Sequence, residues 1–198
     1  MDQLIPRQQG AFLKRYLDNF KAVAILGPRQ CGKSTLAKQI LKSYAESIYI
    51  DLESVADSIK LSEPQLFLNS VAGKIICIDE IQLMPQLFST LRGIIDQKNL
   101  PGQFLILGSA SRDLIRQSSE TLAGRIIYLE LTPFLHEELG LSSENVLHYV
   151  SKGGFPDSYL AADEELSFVW RRSFISTFLE RDIAQLGFNY PPETMRRL

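Results

Sequence analysis

Gly27-Pro28-Arg29-Gln30-Cys31-Gly32-Lys33-Ser34 meets the spacing G-x-x-x-x-G-K-[ST] at every fixed position, and Thr35 follows. Residues of these types in this order are suited to capturing a polyphosphate. Gly27 and Gly32 permit backbone angles closed to other residues, so successive N–H groups can point inward at one anion. A helix opening near Lys33 adds the positive end of its dipole to the same spot. Lys33 supplies a point charge for the β- and γ-phosphates. The Ser34 hydroxyl supplies an oxygen ligand for Mg²⁺, a hard ion.

A second group of chemical residues closes the apolar run KIICIDEIQ, where Asp79 and Glu80 stand together. In an open α/β sheet, ligands bind at the carboxyl ends of strands, which places this pair opposite the glycine-rich loop. Asp79 is suited to hold Mg²⁺, and Glu80 to polarise an attacking water. The second acid favours hydrolysis over phosphate transfer to a small-molecule hydroxyl. FLILGSAS brings Ser109 to the same edge, either facing the γ-phosphate or, like Ser111, capping a helix. Arg125, immediately before IIYLEL, is a candidate for stabilising transition-state charge in its own site or a neighbour's, with a surface salt bridge as the other reading. Arg29, Arg112 and Arg116 are weaker candidates of the same kind. Cys31 is expected to have a lowered thiol pKa beside the helix N-terminus. Its only candidate base partners, His136 and His148, fall in another region, so packing is the preferred role for this thiol. No Cys/His cluster has zinc spacing.

The elements that must position these residues alternate. A helix is expected over Gln9–Asn19, then strands at Ala22–Leu26, Ile48–Leu52, Lys74–Ile78, Phe104–Leu107 and Ile126–Leu131. Between them lie a helix from Lys33 to about Ala45, one or two helical stretches interrupted at Pro64, and a helix after Pro85. Short apolar strands alternating with amphipathic helices describe a three-layer α/β domain with a parallel sheet. After Thr132-Pro133 the pattern turns helical, with segments at Phe134–Leu139, Glu144–Ser151 and Glu165–Leu186. The expected division is therefore an α/β core over 1–132 and a helical lid over 133–198. Pro191-Pro192-Glu193 reads as the opening of a new helix, so a further domain is expected after Leu198.

Composition excludes several classes. A net charge of −2 gives no overall electrostatic footprint for nucleic acid, although a local patch stays open. Two cysteines make no disulfide framework and point to a reducing, cytoplasmic setting. The N-terminus lacks the apolar stretch of a signal peptide, and no run approaches the ~20 residues that cross a bilayer.

In order, IPRQ, GPRQCGKSTL, YIDLE, IICIDEIQ, LILGSASRDL, SETLAGRIIYLELTPF, GGFP and FLERDI resemble the AAA-type ATPases with an additional strand and a catalytic glutamate. Within them, the set is most similar to the prokaryotic AAA-like ATPases that carry a C-terminal domain of unassigned function, and it spans nearly the whole chain. The resemblance implies a P-loop NTPase fold with sheet order 5-1-4-3-2 and a helical lid. It implies a sensor position for Ser109, an arginine finger for Arg125 and adenine packing by Pro156. Gly153 and Gly154 would then let the backbone approach the base. Arg171 and Arg172 are the lid arginines available as a second sensor. The implied ligands are ATP and Mg²⁺, and the absence of an N/T-K-x-D motif also disfavours GTP. The implied activity is ATP hydrolysis driving conformational change, with a slowly turning nucleotide-gated switch as the alternative. A second copy of the chain or another protein is an open partner, and nucleic acid stays open through the further domain.

Overall fold

The computed structural model describes residues 4–109, 116, 118, 120–140 and 142–179. The chain divides between Thr132 and Pro133 into two compact units. In the first, helix α1 (Gln9–Asn19) buries Leu13 and Leu17, four residues apart on one face. Strand β1 (Ala22–Leu26, AVAIL) is buried along its whole length. Helix α2 spans Lys33–Leu41 and strand β2 spans Ser47–Asp51. Helices α3 (Val55–Lys60) and α4 (Pro64–Ser70) follow, Pro64 opening the second of them. Strand β3 (Ile75–Asp79) leads to a short 3-10 turn at Ile81–Leu83 and to helix α5 (Leu87–Lys98). Strands β4 (Phe104–Gly108) and β5 (Ile126–Glu130) complete the sheet.

All observed pairings are parallel, and the strand order is β2-β3-β4-β1-β5, the 5-1-4-3-2 order expected from the sequence. Strand alternation sorts the core into two layers of side chains. Ala22, Ala24 and Leu26 of β1 face one side with Ile76, Ile78 and Ile106, under Leu87, Phe88 and Leu91 of α5. Val23 and Ile25 face the other with Cys77, Leu105 and Leu107, under Leu13 and Leu17 of α1 and Leu36 of α2. Both faces are therefore covered, which is why the central strands are apolar without a break.

Register fixes the site. Asp51 pairs with Asp79, while Leu26 pairs with both Gly108 and Glu130. The strand ends that precede the glycine-rich loop, Glu80 and Ser109 thus lie along one edge. Helix α2 stops earlier than expected, at Leu41 rather than Ala45, because Ser43 and Tyr44 turn their N–H groups back to Ile40 and Leu41. The Ser43 hydroxyl also takes the Ile40 carbonyl at 2.7 Å, competing with helix propagation.

The second unit contains a 3-10 turn at His136–Glu138 and helices α6 (Ser143–Lys152), α7 (Pro156–Tyr159) and α8 (Glu164–Thr177). The expected helix over Phe134–Leu139 is not formed. Phe134 instead gives its N–H to the Gly154 carbonyl at 2.7 Å, and Leu135 is extended. This pairing also explains Gly154. A Cβ there would lie 2.6 Å from the Phe134 carbonyl oxygen, so glycine lets the protein's own backbone approach at this position. Beside its ring contacts, this unit buries a polar group. The Ser158 hydroxyl donates to the Lys152 carbonyl at 2.6 Å and lies 2.8 Å from Ser167, while Arg171 donates to Ser167 at 2.6 Å. The C-terminal part of the expected helix to Leu186, and Pro191–Glu193, lie outside the described residues.

Helix α8 starts at Asp163, whose carboxylate accepts the Leu166 N–H at 2.7 Å. Asp163→Ala should cost about 1 kcal/mol, the ordinary value of an N-cap, and Asp163→Asn should cost much less. Denaturant titration of the three proteins checks this; equal midpoints for all three would remove the cap from the account.

Candidate functional site

The chain leaves β1 at Leu26 and turns at Gly27, where no side chain fits: a Cβ would stand 2.1 Å from the carbonyl oxygen of Leu131, just past β5. Two left-handed residues shape the rest of the loop, Gln30 at φ 60° and Gly32 at φ 99°. Gly32 is also the N-cap of α2 and brings no side chain to cap it.

Lys33 is buried, with only 6% of its surface exposed. Its ammonium donates to the carbonyls of Gly27 at 3.0 Å and Pro28 at 2.8 Å. Among the described residues it has no carboxylate partner. A buried cation with only neutral acceptors is far from balanced, and an anion in the mouth of the loop is the complement it fits.

Asp79 ends β3, buried, with its carboxylate fully engaged. Oδ1 accepts the Glu80 N–H at 2.9 Å, and Oδ2 accepts the Ser34 hydroxyl at 2.6 Å. The phenol of Tyr49, on the neighbouring strand β2, donates to the same Oδ2. Burial and this bond to Asp79 push the Tyr49 phenol well above its usual range, so it stays a donor. The Lys38 ammonium lies 4.4 Å from the centre of the Tyr49 ring. These oxygen donors suit a hard divalent ion.

Glu80 adopts a left-handed conformation, φ 56° and ψ 43°, immediately after the strand. Its carboxyl pKa is raised, chiefly by burial and further by Asp79, while Gln82, Lys33 and Arg29 work in the opposite direction. The Gln82 amide donates to Glu80 Oε2, and its carbonyl oxygen accepts the Ser109 N–H at 3.4 Å. Gln82 therefore joins the third and fourth strand ends. Neither it nor Tyr49 was singled out by sequence, although both stand inside the motifs IICIDEIQ and YIDLE.

The loop Gly27–Thr35, Asp79, Glu80 and Ser109 converge on one edge. Arg125 does not join them. It precedes β5 and so stands at the opposite, amino edge of the sheet, roughly 13–16 Å away at ~3.3 Å per residue. There its guanidinium grips Asp96 of α5 at 2.6 and 2.9 Å, the salt-bridge reading, and action within its own chain's site is corrected. Cys31 is corrected too: burial outweighs the charges of Lys33 and Arg7 and raises its thiol pKa, and Sγ lies 3.3 Å from the Leu131 carbonyl. Pro156 opens α7 in the second unit, and Arg171 is engaged there with Ser158 and Ser167. Arg112 and Ser111 lie outside the described residues.

Residues 19–140 match the family model described as "AAA domain". The chain belongs to this AAA domain family. Residues 143–198 match a domain of unknown function, DUF8612. Two uncharacterized mycobacterial proteins, Rv2008c of Mycobacterium tuberculosis and Mb2031c of Mycobacterium bovis, are each 44% identical over 191 residues, 96% of this chain. The chain spans 42% of the length of these relatives. Among solved structures, the Walker-type ATPase PABY2304 of Pyrococcus abyssi aligns with a TM-score of 0.58 at 16% identity, over 98% of this chain and 76% of its own. Domain III of the Thermotoga maritima replication initiation protein DnaA aligns at 0.50 and 14%, over 86% and 94%. At these identities the likeness is one of fold.

For this AAA domain, Gly27→Ala is the sharpest structural test. The added methyl meets backbone rather than a flexible side chain, so the loop and the β5 exit must part. The expected loss is about 3 kcal/mol of stability or more, whereas Gly93→Ala, inside helix α5 with open space around the position, should lose nothing and gain up to ~1 kcal/mol. Thermal or denaturant unfolding of both variants checks this; equal effects would refute the close approach.

Proposed function

We propose that this chain binds ATP with Mg²⁺ and hydrolyses it, using the change in bound nucleotide to drive conformational change. The observation that carries the proposal is the meeting of the Ser34 hydroxyl and the Asp79 carboxylate at 2.6 Å beside the buried, carboxylate-free ammonium of Lys33. A pair suited to a cation and a group suited to an anion thus stand on adjacent residues at one edge of the sheet. Among the described residues no group of three His, Cys, Asp or Glu side chains could hold a metal. That fits a Mg²⁺ bound by one carboxylate, one hydroxyl and the nucleotide's own phosphates.

The residues divide the work by chemistry. The loop N–H groups of Gly27–Thr35 and the opening turn of α2 hold phosphate oxygens. Lys33 exchanges its two peptide carbonyls for the β- and γ-phosphates. Ser34 turns a lone pair outward, and Asp79, steadied by Tyr49 and the Glu80 N–H, keeps its carboxylate facing the same point. Ser34 and Asp79 would hold Mg²⁺, which would supply neutralisation of the charge that builds on the phosphates. Glu80, held by Gln82, accepts a proton from water as the water oxygen bonds to the γ-phosphorus and the bond to the β-phosphate oxygen breaks. Its raised pKa makes it a stronger base than an ordinary carboxylate. Ser109 stands beside this pair, its N–H on the Gln82 side-chain carbonyl. The similarity to a Walker-type ATPase supports this reading at the level of fold.

A slowly turning nucleotide-gated switch is the second reading, and the placement of Arg125 favours it. With that guanidinium at the far edge, the site has Lys33 as its deeply set cation, and an arginine finger would have to come from a second copy. A homo-oligomer or protein partner follows naturally, in a cytoplasmic setting. Nucleic acid is the less favoured partner at a net charge of −2. No helix among the described residues is long and apolar enough to cross a membrane.

Calorimetric titration with ATP should show Lys33→Ala weakened about 10- to 100-fold, as loss of charge-assisted bonds predicts. Undiminished affinity would overturn the site. Glu80→Gln should keep ATP affinity and lose about 100-fold or more in turnover; equally slow wild type and variant would favour the switch. Tyr49→Phe should raise the Mg²⁺ concentration needed for tight ATP binding by about tenfold, the usual cost of removing a hydrogen-bond partner from a metal ligand. Its Mg²⁺-free ADP affinity should match wild type, and a loss there instead would make Tyr49 a packing residue.

A further inference from the structure

Arg7 lies ahead of α1 and ahead of the residues matched by the AAA domain model, which begin at 19. Its guanidinium nevertheless reaches the centre of the glycine-rich loop. One terminal nitrogen donates to the Cys31 carbonyl at 2.9 Å and the other to the Thr132 carbonyl at 2.6 Å. These acceptors are 24 and 125 residues away along the chain. A guanidinium is planar and its donors diverge at fixed angles, so it holds two acceptors at a fixed separation, which a lysine ammonium on a flexible stem does not.

The peptide it grips matters. In a planar trans peptide the C=O and the following N–H point in opposite directions, and there is no cis peptide among the described residues. Fixing the Cys31 carbonyl on the Arg7 side therefore turns the Gly32 N–H to the other side. Gly32, at φ 99°, would otherwise be among the freest residues of the loop. The same stretch is braced by Leu131, which packs on Gly27 and accepts from Cys31 Sγ at 3.3 Å. Arg7 is the member of this brace that brings charge, and its cation is felt at the Cys31 thiol.

We propose that Arg7 is a positioning residue for polyphosphate binding, locking the Cys31–Gly32 peptide so that the Gly32 N–H serves the anion. The inference rests on the phosphate-site reading above. It makes the N-terminal segment part of the nucleotide site, although that segment lies outside the matched domain.

Mg²⁺-free calorimetric titrations with ADP and with AMP test it on wild type, Arg7→Ala, Arg7→Lys and Lys33→Ala, with thermal unfolding of each. The expected result is an approximately tenfold loss of ADP affinity in Arg7→Ala, a similar loss in Arg7→Lys because the fork is gone, and a much smaller change for AMP. A strap that only holds the segment down would lower the unfolding temperature and leave the ADP-to-AMP preference unchanged, and that result overturns the inference. If Arg7→Ala fails to fold, Arg7→Lys carries the test, since it keeps charge and bulk. Loss of ADP binding in Lys33→Ala with none in either Arg7 variant would sink this proposal alone. Wild-type ADP affinity in Lys33→Ala would sink the phosphate site beneath it.

Discussion

A lysine ammonium buried among peptide carbonyls, with no carboxylate bonded to it among the described residues, is the constraint on which the rest of this structure depends. Taking a charge out of water is costly, and two neutral acceptors offset only part of that cost. The fold tolerates Lys33 there because the loop that buries it is held from several sides. Gly27 lies directly on the exit of β5, Gly32 opens α2, and Arg7 fastens Cys31. Two of these are fixed by backbone itself, and the third is a guanidinium gripping a backbone carbonyl. A loop with this much backbone fixation keeps its N–H groups aimed before any ligand arrives, which is where preorganised sites gain their strength.

The parallel sheet does the positioning. Because Leu26 is level with Gly108 and Glu130, and Asp51 with Asp79, strand ends that are distant in sequence become neighbours along one edge. Tyr49 and Asp79 meet through this arrangement, as do Gln82 and Ser109. It equally separates Arg125 from the phosphate edge: a residue that precedes a parallel strand must lie at the amino edge. The same geometry thus brings Asp79, Glu80 and their donors to one edge and keeps Arg125 at the other.

Much of this was legible in residues. The run AVAIL and the helix Gln9–Asn19 carry their own boundaries, and the structure keeps both. The strand order came from resemblance, since periodicity alone does not order strands. What escaped depended on pairing partners. β3 runs on to Asp79 because Asp51 of the next strand continues the ladder, although the apolar run ends at Ile78. Tyr49 looked like one more strand aromatic, and its role appears only once β2 lies beside β3. Phe134–Leu139 has helical spacing, yet Phe134 pairs with Gly154, twenty residues on, and no local pattern announces that bond. The placement of Arg125 was readable from strand direction.

Glu80 shows how the fold treats a partly buried carboxyl at a strand end. A left-handed conformation at a non-glycine residue costs of order 1 kcal/mol, and asparagine or glycine would occupy it with less strain. The sequence keeps glutamate, and the surroundings hold it: its N–H is fixed by Asp79, its carboxyl by Gln82, and its neighbour Ile81 is fully buried. The turn lifts the carboxyl out of the strand's alternation, so that it can stand beside Asp79 without pointing into either packed face of the sheet. An extended Glu80 would continue the alternation across β3 and aim its side chain at a helix layer. Strain at this one residue is therefore what lets two adjacent carboxylates serve the same edge, one engaged with hydroxyl donors and the other kept more basic by burial.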